Sequence, residues 1–144
     1  MNMKIVFLGT PPFVQPVKLE LAKHFTLVDS LNDADLGVVA AYGRILTKDE
    51  LDTPKMGCIN VHPSLLPKLR GPSPLQFSIL EENETGVSII ELDSEVDHGP
   101  ILAQEKISIE WPPYFEDLEK ICGEVGGRML SRVIPKWMSG EVNA

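Results

Sequence analysis

Apolar positions in this chain occur either as short unbroken runs or at spacings of three and four, and the alternation of the two predicts an α/β protein. Lys4 to Leu8 is a β-branched and aromatic run closed by Gly9, the pattern of a buried first strand and its turn. Pro11, Pro12 and Pro16 postpone the helix, so Val17 to His24 is the first helical candidate and Phe25 to Val28 a second strand. A turn at Asp33-Ala34-Asp35 precedes the wholly apolar Leu36 to Ala41, a strand covered on both faces as in parallel sheets, and Tyr42-Gly43 ends it. Thr47-Lys48-Asp49-Glu50 has the form of a capping box, which predicts a short helix stopping near Pro54. The next strand starts at Cys58 and carries Asn60 and His62. Ser73-Pro74-Leu75-Gln76 predicts another helix through about Glu81, closed by Asn83 to Thr85. Gly86 to Leu92 and Ile101 to Ile109 are strand-like. From Tyr114 onward, Phe115, Leu118, Cys122, Val125, Met129, Val133 and Trp137 mark an amphipathic helix with one face on the sheet, and Pro135 is expected to kink or break it. The order of elements implies a sheet that is parallel at first, with an antiparallel addition near Asp97.

Composition narrows the class. A chain of 144 residues, 43% apolar and 24% charged, fits one domain with its own core and contains no apolar run of membrane-spanning length. We expect no membrane association. The absence of a leader-like opening and a count of two cysteines, Cys58 and Cys122, fit a reducing cytoplasm. The formal charge of −8, from 21 acidic and 13 basic residues, argues against broad binding to a phosphate backbone. Lys68 and Arg70 are the close basic pair near the candidate site, enough for one anionic group.

Candidate chemistry centres on the strand that ends at His62. Alternation places Asn60 and His62 on one face. An amide and an imidazole side by side offer a fixed donor for a developing oxyanion and a group that titrates near neutrality. The alternative is that both merely cap an exposed strand end and bond the adjoining loop, and Asp97 can equally be a turn residue before Gly99. Cys58, His62 and His98 lack zinc-like spacing, Ser64 lacks the Gly-x-Ser-x-Gly setting, and Gly9 is not followed by the glycines of a dinucleotide or phosphate loop. No metal site is expected.

Asn60-Val61-His62-Pro63-Ser64-Leu65-Leu66-Pro67, Arg70-Gly71-Pro72-Ser73-Pro74 and Asp97-His98-Gly99-Pro100 together resemble the signature of the folate-dependent formyltransferases, over nearly all of Ala34 to Gln104. Tyr42-Gly43-Arg44-Ile45-Leu46, the stretch through Leu75-Gln76, Asp97 to Leu102 and the opening Met3 to Pro11 are most similar to the methionyl-tRNA formyltransferase branch. The resemblance implies a Rossmann-like formyltransferase fold, reduced in size, mostly parallel with helices on both faces. It also implies transfer of a formyl group from 10-formyltetrahydrofolate to a primary amine, through a tetrahedral adduct and without a metal. In that reading Asn60 and His62 donate to the oxyanion, while Asp97 orients His62 and accepts a proton from the amine. Tyr42, Gly43, Ile45 and Leu46, with Ser64, Leu65, Leu66 and Pro67, are then the folate-pocket residues. By composition alone the same two loops are a strand-to-helix turn and an apolar plug.

The chain departs from that pattern between Gly9 and Ala34, where it is far shorter than family members, so a second strand, the following helix and a tRNA-contacting loop are expected to be reduced or absent. It ends just past the last helix, so residues 1–144 are expected to form a single catalytic domain without the family's C-terminal β-barrel. Three readings remain: a formyltransferase acting on a small amine, with initiator tRNA a poor substrate; a hydrolase passing the formyl group to water; and a noncatalytic folate- or partner-binding remnant. Met129, Leu130, Val133, Ile134, Trp137 and Met138 lie on more than one side of the last helix and suggest a homodimer.

Overall fold

The computed structural model describes residues 3–9, 14–40, 46–62, 85–92, 100–107 and 115–140. Its elements in chain order are β1 (Lys4–Gly9), α1 (Val14–His24), β2 (Thr26–Val28), a 3-10 turn (Leu31–Asp33), β3 (Leu36–Ala40), α2 (Lys48–Asp52), β4 (Cys58–His62), β5 (Thr85–Glu91), β6 (Ile101–Ile107) and α3 (Phe115–Met138). The helix expected from Ser73 to Glu81 lies outside the described residues.

Six strands form one sheet in the order β2-β1-β3-β4-β5-β6. The first four are parallel, and β5 and β6 add antiparallel pairs beside β4. The chain leaves β1 for β2 on one side and reaches β3 on the other, the reversal of strand order at which open α/β sheets take their ligands. Fully buried Leu36, Val38 and Ala40 on β3 explain its unbroken apolar run.

Alternation divides the core between the two faces of the sheet. Ile5, Val38, Ile59, Val61, Val87 and Ile89 pack with Val17 and Leu21 of α1 and with Cys122, Met129, Leu130 and Ile134 of α3. On the other face Val39 and Cys58 meet Leu46 and Leu51, the latter from α2. Glycine allows α3 to lie close: a Cβ at Gly126 would stand 2.7 Å from Val61 Cγ1, and one at Gly127 would stand 2.9 Å from Glu20 Cβ on α1. The capping box is formed, with Glu50 N donating to Thr47 Oγ1 at 3.2 Å and Thr47 N to Glu50 Oε1 at 3.0 Å.

Two expectations change. The first helix starts at Val14 and takes Pro16 into its first turn, where a missing N–H costs no helical hydrogen bond. The last helix continues through Pro135 to Met138. Buried Val133 and Ile134 hold that turn to the sheet, Ser139 N donates to Pro135 O at 3.2 Å, and Trp137 Nε1 donates to Met56 O at 3.4 Å. Of the six residues that suggested a homodimer, Met129, Leu130, Val133 and Ile134 are buried in the chain's own core, Trp137 is partly buried and Met138 is exposed.

The short crossover is fully described. β2 is a three-residue edge strand, and a single 3-10 turn leads from it to β3. Asp35 closes the joint: Lys4 N donates to its carboxylate at 2.9 Å, its own N–H donates to Lys4 O at 2.7 Å, and its carbonyl accepts from Met56 N at 2.7 Å. One residue thereby ties together the starts of β1 and β3 and the turn before β4.

Candidate active site

β4 is a strand because Ile59 and Val61 are buried towards α3, and the same alternation sends Cys58, Asn60 and His62 to the opposite face. Its register is fixed on both sides, Asn60 lying opposite Val39 of β3 and Ile90 of β5. The pair therefore sits at the carboxyl end of a central parallel strand, held by backbone hydrogen bonds from two neighbours.

The strand end is less open than its position in the sequence implies. His62 is only 4% exposed, and β5 runs antiparallel beside it and sets Ser88 directly opposite. Asn60 is half-buried, and among the described residues its Oδ1 is a buried acceptor with no hydrogen-bond partner. A buried amide oxygen without a donor is costly, of the order of 1–3 kcal/mol. Such an atom in a native structure is a sign that something is meant to meet it.

Ser88 was not singled out by sequence reasoning, although a lone hydroxyl within Val87-Ser88-Ile89-Ile90 is a polar interruption of a buried strand. It is fully buried, and its Oγ accepts from Gln104 Nε2 of β6 at 2.9 Å. Register places His62 opposite Ser88 and Ser88 opposite Gln104, so three polar side chains cross the sheet in one row.

Of the expected folate-pocket residues, Leu46 is described. It is buried with Val39, Leu51 and Cys58 beneath the face that carries Asn60. Tyr42, Gly43, Ile45, Ser64, Leu65, Leu66 and Pro67 lie outside the described residues, as does Asp97. The ends of the segment that contains Asp97 are joined by a hydrogen bond from Glu91 N to Pro100 O at 2.9 Å. Burial raises the Cys58 thiol to about 11, which leaves it protonated and unreactive beside the site. Among the described residues no three His, Cys, Asp or Glu side chains gather as metal ligands.

An open, largely parallel sheet with α-helices on both faces and an amide and imidazole at the carboxyl end of its central strand defines a Rossmann-like α/β protein with a polar site beyond the strand ends. The chain belongs to the formyl transferase family, whose model matches residues 15–134. It is 40% identical over 136 residues to a methionyl-tRNA formyltransferase of Myxococcus xanthus, covering 94% of this chain and 40% of that protein. A methionyl-tRNA formyltransferase of Wolbachia pipientis is 50% identical over 101 residues, 69% of this chain and 34% of its own length. The chain thus spans about two fifths or less of these two curated relatives. The fold is shared with the formyltransferase PseJ of Anoxybacillus kamchatkensis, solved with a formamido sugar nucleotide and tetrahydrofolate, at a TM-score of 0.79 and 22% identity over 98% of this chain and 79% of that one.

Proposed function

We propose that this chain transfers a formyl group from 10-formyltetrahydrofolate to a primary amine, and that residues 1–144 serve as one catalytic domain for that reaction. The observation that carries the reading is the orphaned Asn60 Oδ1 beside a buried His62, on a strand end where the family signature places its amide and imidazole. An attacking amine supplies the N–H donor that Oδ1 lacks, while the Nδ2 group of the same amide donates to the formyl oxygen. His62 adds a second donor when protonated, and Asp97 takes the proton lost by the amine. When bound, the folate supplies the activated formyl group. Leu46 lies beneath the face it would occupy, and the loops 42–45 and 64–67 are its remaining proposed contacts. A cytoplasmic setting suits folate chemistry and two buried cysteines that are not joined in a disulfide.

The acceptor is a small amine in this reading. The chain carries a formal charge of −8, and the link between β2 and β3 is one 3-10 turn with no room for a nucleic-acid-gripping loop. The formamido sugar nucleotide bound by PseJ is the type of product such a site would form. The test incubates the chain with 10-formyltetrahydrofolate and amino sugars, simple amines or charged initiator tRNA at matched low salt, following both formylated amine and formate. Formylated small amine, lost in Asn60→Ala, is the expected result. Formate without formylated amine would make the chain a hydrolase, binding without turnover would make it a remnant, and efficient salt-sensitive formylation of the tRNA would overturn the small-acceptor reading.

A further inference from the structure

We propose that Val39 and Ile90, one on each strand flanking β4, are specificity-determining residues that keep the carboxamide oxygen of Asn60 clear of protein donors and so reserve it for the acceptor amine. The proposal rests on the formyl-transfer reading and names the residues that make its amide selective.

Register sets the surroundings of Asn60, which stands directly opposite Val39 of β3 and Ile90 of β5. Both neighbours share its face of the sheet. Val39 packs with Leu46, Leu51 and Cys58, and fully buried Ile90 lies outside the large core that the adjacent Ile89 joins. Neither side chain carries a hydrogen-bonding group. Two residues back along β4 on the same face, Cys58 Sγ donates to Leu51 O at 3.8 Å, which commits its proton elsewhere. Among the described residues, no donor meets the buried Asn60 Oδ1.

A threonine at either flank would suit a strand as well as valine or isoleucine does. Neighbouring strands lie about 4.8 Å apart, so a hydroxyl on the adjacent Cβ closes on Oδ1 at an ordinary hydrogen-bond length. Apolar residues on both flanks forgo that bond and leave it to be made by a ligand. The terminal torsion of asparagine is broad and two-fold, so the carboxamide of half-buried Asn60 turns towards the side from which a donor arrives. The N–H of a substrate amine then meets an oxygen that has no protein bond to break.

The test places a hydroxyl on the flank. Val39→Thr adds a donor at almost the same volume, and Val39→Ala removes bulk without adding one. The first readout is the carboxamide 13C resonance of Asn60 in the full chain, assigned by its loss in Asn60→Ala. The second is urea unfolding of Val39→Thr with and without Asn60→Ala, and the third is kcat and KM for the amine. We expect the resonance to move downfield in Val39→Thr and to stay near wild type in Val39→Ala. The threonine should raise the unfolding constant roughly two- to tenfold more in the Asn60→Ala background than in the wild type, the worth of one neutral hydrogen bond. KM for the amine rises by about the same factor while kcat changes less, because Nδ2 still serves the formyl oxygen. A resonance that stays in place, or equal unfolding costs in the two backgrounds, would overturn the proposal, and so would a KM no higher than that of Val39→Ala. If Val39→Thr does not fold, Ile90→Thr makes the same test from the other flank. A wild-type chain that formylates no amine would sink the functional reading instead, and the resonance and unfolding constants would still decide whether the flanks leave the oxygen open.

Discussion

Gly126 is where the helix packing and the candidate site meet, and replacing it with alanine is the sharpest test of the structure. An added Cβ would lie 2.7 Å from Val61 Cγ1, with Val87 Cγ1 at 3.7 Å and Val17 Cγ2 at 3.8 Å, so the conflict is with Val61 alone. Carbon atoms pack at about 3.5–4.0 Å, so α3 and β4 must part by roughly 1 Å. Overpacking of this kind costs about 1–3 kcal/mol, and the better helix propensity of alanine returns about 1 kcal/mol. Gly126→Ala alone is therefore destabilising by about 1 kcal/mol. Val61→Ala, at a site 1% exposed, costs about 2 kcal/mol for the lost methyl groups and the space they leave. In the double variant the new methyl group occupies part of the vacated space, and the combined loss falls short of the sum by at least 1 kcal/mol. Urea unfolding of the four proteins measures this coupling directly. Additivity to within about 0.5 kcal/mol would refute the contact. Val61 lies between Asn60 and His62 on β4, so Gly126→Ala also lowers turnover more than Gly127→Ala, whose added Cβ meets only α1.

Asn60→Ala should lower kcat by about a hundredfold or more while leaving the melting temperature equal or higher, since it deletes a buried acceptor that has no partner; a change confined to KM would assign the amide to ground-state binding. Thr47→Ala removes the capping box of α2 and should cost about 1 kcal/mol in urea unfolding, and a loss below about 0.3 kcal/mol would show that the helix is held by Leu51 instead. The Cys58 thiol is raised by burial from 9.0 to about 11, so the folded chain keeps its proton longer than the unfolded one. The associated stability is complete below pH 9 and is lost as pH rises towards 11, by about 2–3 kcal/mol, measured as the difference between wild type and Cys58→Ala; parallel pH profiles of the two proteins would contradict it.

Local chemistry was the part of the fold that could be read from residues. The capping box at Thr47 and Glu50 needs four adjacent residues, and the shared face of Asn60 and His62 needs only the strand's period of two. What required the third dimension was the partner on the neighbouring strand. His62 reads as an exposed strand-end residue from its sequence, yet it is buried, and β5, more than twenty positions away, lies beside it and brings Ser88 and Gln104 into the row. Proline misled for a related reason. Its local preference is to end helices, yet Pro16 falls in a first turn that needs no N–H, and the turn at Pro135 is held by buried Val133 and Ile134.

The short link between β2 and β3 lies well away from the candidate site. β2 and β4 are separated by β1 and β3, so at about 4.8 Å per strand the β2 edge lies roughly 14 Å from the strand that carries Asn60 and His62. The backbone of β4 is held by β3 and β5, neither of which touches β2. Asp35 bonds the start of β1 and the turn before β4 at once, which ties both to the start of β3. The polar atoms of the site are thus set by central strands, and a three-residue edge strand three places away does not enter their support.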